Sequence, residues 1–162
     1  MNDYFKALLA ALKAACESHY EKRLVSLAVY GSVGRGTPRP DSDLDILVVA
    51  DQLPQGRIGR IREFDPVKNA LNEVLLEGRN SGFNTVLSTV IKSPDEVRNG
   101  SPLFLDMTED AVILFDRNRF FESEMDVFRK RLKKLGSRRV WRGDVWFWDL
   151  KPDYKPGEVF EI

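Results

Sequence analysis

Two aspartates, Asp43 and Asp45, stand at the head of an apolar run, and ten residues before them lies the pair Gly31-Ser32. On a strand, residues i and i+2 point to one face, so the two carboxylates would stand side by side. Negative charges held that close repel, and both stay ionised mainly when a cation sits between them. Hard oxygen donors with open positions suit Mg²⁺, or Mn²⁺ in its place, with substrate phosphates completing the shell. Gly31 lets the backbone approach a ligand, and the following amides with the Ser32 hydroxyl can hold phosphate oxygens where a helix or nest begins. Arg35 adds charge against the same phosphates. Together these parts would bind a nucleoside triphosphate, and the chemistry then open is in-line phosphoryl displacement. It is not a Walker A loop, because no Gly-Lys-Ser/Thr follows the glycines. Singly, each piece has a plainer reading: either aspartate as a turn cap or ion-pair partner, Arg35 as a solvated cation. The spacing of the whole arrangement is what points to a site.

The elements that must position these residues can be read from hydrophobic period. Phe5, Leu8, Leu9, Leu12, Ala15, Cys16 and His19 recur at helical spacing over residues 3–22. That stripe makes Cys16 and His19 packing residues before it makes them chemical ones. LVSLAVY, Leu24–Tyr30, reads as a buried strand running into Gly31-Ser32, and LDILVVA, Leu44–Ala50, as the strand that carries Asp45. Between them, VGRGTPRPDS is a loop with a short helical turn at its start. Ile58, Ile61, Phe64, Val67, Leu71, Val74 and Leu75 form a helical stripe interrupted at Pro66. A third strand is expected over 83–91, a capped helix from Ser93-Pro94, a fourth strand over 111–115, and an amphipathic helix over 118–135 ending at Gly136. The remaining tail, 138–162, is aromatic and proline-bearing and is expected to pack on the rest.

The segment GSVGRGTPRPDSDLDILVV resembles the signature of the nucleotidyltransferase superfamily with the DNA polymerase beta-like catalytic fold, above all its small prokaryotic minimal members. The closing FWDLKPDYKPGEVFEI is similar to the ending of other nucleotidyltransferase-domain proteins of this group. The resemblance implies an α/β (α+β) fold, a mixed β-sheet flanked by helices, with a core over about residues 24–115 of a single 1–162 domain. It implies transfer of a nucleoside monophosphate from an NTP to a hydroxyl, with Mg²⁺ on Asp43 and Asp45 as the catalytic and metal-binding pair. Gly31, Ser32 and Arg35 would be the nucleotide contacts. It also implies a toxin–antitoxin pairing in which the transferase adenylylates a small HEPN-type toxin. The superfamily's third carboxylate belongs on the next core strand, where 83–91 holds no Asp or Glu. That position falls near Ser88, with Asn84 and Thr89 as the lesser candidates, and none of these is a good base near neutral pH. Three outcomes stay open: catalysis with two carboxylates, a carboxylate borrowed from Asp106, Asp149 or Asp153, or a silent nucleotide-binding module that acts by protein–protein contact.

Composition narrows the field further. One histidine and one cysteine exclude a multi-histidine or multi-cysteine zinc site and an internal disulfide, and favour a reducing, cytoplasmic setting. No apolar run approaches a bilayer span, and Asp3, Lys6 and Lys13 interrupt the N-terminal segment. The net charge of zero gives no global pull toward nucleic acid. Residues 117–142 nevertheless carry ten basic and three acidic side chains. This segment is either a solvated helix face or a docking surface for RNA or an acidic partner, with Trp141 and Trp146 available to stack on bases.

Overall fold

The first helix, α1 (Asp3–Tyr20), opens where the Asn2 side chain accepts the Phe5 N–H at 3.0 Å, and it buries Phe5, Leu8, Leu9, Leu12, Cys16 and Tyr20. The computed structural model describes residues 2–143 and 145–162. After a 3₁₀ turn the chain enters β1 (Leu24–Tyr30), turns through the short α2 (Gly31–Gly34), and returns as β2 (Leu44–Ala50), antiparallel to β1. Three short helices follow, α3 (Arg57–Glu63), α4 (Asp65–Ala70) and α5 (Asn72–Asn80), before β3 (Leu87–Lys92) runs parallel to β2. Next come α6 (Pro94–Arg98), α7 (Phe104–Asp110), β4 (Val112–Asp116) and α8 (Phe120–Leu135). A hairpin of β5 (Arg138–Arg142) and β6 (Val145–Asp149) forms a separate two-stranded sheet.

The main sheet has the order β3-β2-β1-β4 and is mixed, as expected. Its central strands are apolar on both sides because both faces are covered. On one face α1 and the α4–α5 pair meet Leu27, Val29, Ile46 and Val48. On the other, α7 and α8 meet Ala28, Leu47 and Val49 through Phe104, Met107, Phe121, Met125 and Phe128. Asp45 shares the parity of Leu47 and Val49, so its side chain belongs to the α7–α8 face. That parity decides which later elements can reach it.

Several elements depart from the expected outline, each for a local reason. The stripe from Ile58 to Leu75 is cut into three helices, and only Phe64, Val67 and Leu71 are buried deeply. Ile58 and Ile61 stay 69% and 40% exposed, because α3 lies over the edge strand β3 instead of the sheet centre. The third strand begins at Leu87, not at 83: Phe83 stacks on Tyr4 at 4.5 Å, and the Asn84 N–H bonds to the Pro40 carbonyl of the preceding loop. Helix α7 has too few turns to display a period and went unanticipated. The β5–β6 hairpin was unanticipated too: of its aromatics Trp148 packs against the second core, while Trp141 and Phe147 are exposed. By contrast α6 carries the full capping box, Ser93 Oγ accepting from Glu96 N and Glu96 Oε2 accepting from Ser93 N. Helix α8 ends on Gly136 at φ 72.

Candidate active site

Tyr30, the last residue of β1, lies opposite Asp45 in the ladder, and the chain must then reverse at once. Gly31 makes that possible at φ 65, and a Cβ built there would stand 2.2 Å from Asp45 Oδ2. Only glycine therefore lets the turn close against the carboxylate. Gly34 serves α7 in the same way, since a Cβ there would lie 2.3 Å from the Asp110 carbonyl oxygen. The ensuing loop folds back on itself: Thr37 N–H donates to the Ser32 carbonyl at 3.0 Å, and Arg39 N–H donates to the buried Ser42 hydroxyl at 2.9 Å. These bonds deliver Asp43 to the mouth of β2.

Gly31, Ser32, Arg35, Asp43 and Asp45 all line one open cavity of about 610 Å³. The five residues expected to form the site are therefore gathered at it. Asp43 is exposed and Asp45 half-buried, and among the described residues neither has an ion-pair partner. Burial raises the Asp45 pKa above its ordinary value, Asp43 pushes it the same way, and the Ser88 hydroxyl and Arg35 pull it down. Burial, with the Asp45 charge beside it, also pushes the Tyr30 hydroxyl up to about 12. Two uncompensated carboxylates on one cavity wall fit a hard divalent cation. No third His, Cys, Asp or Glu joins them in a group that could hold a metal among the described residues. Such an ion would keep positions for water and phosphate oxygens.

Ser88 lies directly opposite Asp45 in the β2–β3 ladder. Thr89 is opposite Ile46 and so belongs to the other face, and Asn84 precedes the strand. Of the carboxylates that could be borrowed, Asp149 pairs with Arg138 at 3.5 Å and Asp153 with Lys151 at 3.2 Å, and neither lines the cavity. Asp106 does line it.

Part of the wall escaped the sequence reading. Arg35 Nη1 and Arg139 Nη1 both reach the buried Asp110 Oδ2, at 3.1 and 2.8 Å. Two guanidiniums on one carboxylate leave a net positive charge beside the loop. The Trp146 ring lines the cavity, with Arg35 and Arg139 at 4.5 and 5.4 Å from its centroid. Its indole N–H donates to Asp106 Oδ1 at 2.8 Å, as does that of Trp148. Trp146 is thus turned inward, whereas Trp141 is 51% exposed. The alternation WFW in β6 was the available signal, since it puts two indoles on one face. The thiol of Cys16 lies in the first core, where burial pushes it up to about 12. His19 sits edge-on to Tyr20 at 4.8 Å, and neither residue lines the cavity.

Residues 9–81, which span the Gly-Ser turn and both aspartates, match the model of the nucleotidyltransferase domain family. A Methanocaldococcus jannaschii protein named as a protein adenylyltransferase is 27% identical over 123 residues, covering 74% of this chain and 78% of its own. A solved toxin–antitoxin structure with AMP-PNP superposes with a TM-score of 0.49 at 16% identity, covering 79% of this chain and 92% of the other. A Sulfolobus solfataricus protein named as a nucleotidyltransferase superposes with a TM-score of 0.44 at 17% identity, covering 72% and 87%. No helix among the described residues is long and apolar enough to cross a membrane.

Proposed function

From the match of residues 9–81 to the nucleotidyltransferase domain family, we propose that the chain is a nucleotidyltransferase that transfers a nucleoside monophosphate, AMP foremost, from an NTP to a hydroxyl on a partner protein. The observation that carries this reading is the single cavity in which the glycine turn faces two unpaired carboxylates. Asp43 and Asp45 would hold Mg²⁺ or Mn²⁺, whose chemistry when bound is to neutralise charge on the phosphate oxygens and polarise the α-phosphorus. Gly31 and Ser32 bind the phosphate chain, and Arg35, held on Asp110, presents its charge from the side. The acceptor oxygen then bonds to the α-phosphorus as the bond to the bridging oxygen breaks and pyrophosphate leaves. A protein acceptor is supported by the name of the M. jannaschii relative. A small HEPN-type toxin is the partner that the motif resemblance favours.

A second reading has its own support: Ser88, not a carboxylate, is the ladder neighbour of Asp45. On that reading the chain binds nucleotide without turning it over and restrains its partner by contact alone. One experiment separates the two. Incubation with α-labelled ATP, Mg²⁺ and the neighbouring gene's product should place covalent label on that product, and Asp43→Asn should abolish it. Tight binding of the two proteins with no label from any NTP would select the silent module.

A further inference from the structure

Asp106 projects from α7, outside the segment that carries the motif, yet it lines the same 610 Å³ cavity as Asp43 and Asp45. Its side chain is held in an unusual way. Oδ1 accepts both the Trp146 and the Trp148 indole N–H, each at 2.8 Å, from alternate positions of β6. Among the described residues no donor bonds to Oδ2. The side chain thus has one oxygen engaged by two indoles, while its other oxygen carries no hydrogen bond among the described residues. Among the described residues it joins no group of three ligands that could hold one metal ion, so it shares the cavity with the carboxylate pair without completing a cation site with them. The strand position opposite Asp45 holds Ser88, which leaves the deprotonation of the attacking hydroxyl without a base there.

Resting on the nucleotidyltransferase reading above, we propose that Asp106 is the catalytic base of this chain, oriented by the two hairpin indoles. Its Oδ2 accepts the proton of the acceptor hydroxyl while that oxygen bonds to the α-phosphorus. The phosphorus–oxygen bond to the β-phosphate breaks, its electron pair leaves with pyrophosphate, and the proton on Asp106 is afterwards released to water. The charged groups that share the cavity are Asp43, Asp45 and Asp41 with Arg35 and Arg39. The hairpin is then part of the active site: without β6, α7 would carry an unoriented carboxylate.

The rival is that Asp106 only anchors the hairpin, and Asp106→Asn tells the two apart, because the amide oxygen still accepts from both indoles while the charge and the base are gone. With wild-type chain, partner protein and Mg·ATP, the variant should keep its melting temperature and its affinity for Mg·ATP. Its kcat should fall about 10²- to 10⁴-fold, the usual contribution of a general base. A kcat within about threefold of wild type would overturn the proposal. Should Asp106→Asn melt too low to assay, Asp106→Ala with added formate serves instead: recovery of labelling by formate but not chloride is expected, and no recovery overturns it. A wild type that labels nothing sinks the parent reading and this one together. A wild type that labels, beside an equally active Asp106→Asn, sinks this one alone.

Discussion

At the scale of single residues, the site stores electrostatic tension that its ligand would relieve. Asp45 is half-buried, faces Asp43, and has its pKa raised first by burial and then by that neighbour. A carboxylate with a folded-state pKa above its unfolded value opposes folding once ionised. Its favourable contribution is therefore complete below the ordinary carboxylate range and is lost as pH rises through the raised value. Asp45→Asn should accordingly melt higher than the wild type at neutral pH without metal, and the gap should close as pH falls into the carboxylate range. Melting curves across pH test this, and a gap that does not change with pH would remove Asp45 as its source. The same variant should transfer no nucleotide. Activity and stability are set against each other at this position, as at many functional sites. Gly31, Ser32, Asp43 and Asp45 were legible in the sequence because their spacing alone places them. The engagement of Arg35 by Asp110 was not, since those residues are 75 positions apart.

At the scale of elements, close approach of α2 to α7 holds the turn in place. Gly34 has the Asp110 carbonyl oxygen 2.3 Å and the Val29 carbonyl oxygen 3.1 Å from where a Cβ would sit. Neither backbone group can yield as a flexible side chain would. Gly34→Ala should cost about 1–3 kcal/mol by overpacking and should weaken nucleotide binding by shifting Ser32. Denaturant unfolding and ATP titration check both, and an unchanged midpoint would show that α2 and α7 can separate freely. The longer elements were readable ahead of the structure: β1 and β2 have the expected limits, and α8 stops at Gly136. The elements that were missed are short. Helix α7 is seven residues long and the hairpin strands five each, so neither shows enough of a period to outweigh the loop-like residues around it. The start of β3 was displaced by a contact, Phe83 on Tyr4, that no local pattern announces.

At the scale of the whole molecule, the charge balance of zero resolves into separate surfaces. The basic stretch after residue 117 does not act as one patch. Arg139 turns inward to Asp110 and Arg129 pairs with Asp126 at 2.7 Å, while Lys130, Arg131, Lys133 and Lys134 lie exposed on the outer side of α8. A ligand that binds only the folded state raises stability by mass action, by about 2.7 kcal/mol at a hundredfold excess over Kd. For a chain of this size that corresponds to a rise of roughly 5–10 °C in melting temperature. Mg·ATP should produce such a rise in the wild type, ATP with chelator much less, and Asp43→Asn little with either. Equal shifts in the wild type and Asp43→Asn would place nucleotide binding elsewhere.

Taken by itself, the amino-acid sequence determined the turn, the loop length, the paired carboxylates and the strands that carry them. Each depends on neighbours a few residues apart, and short-range geometry dictates it. Folding decided what stands opposite them. Asp106 and Trp146 come from α7 and the C-terminal hairpin, and they reach the cavity because Asp45 shares the sheet face that those elements cover, while Asp110 and Arg139 hold Arg35 from outside its lining. A twofold strand period tells which residues share a face; only the packing of helices and hairpin over the sheet determines what that face meets.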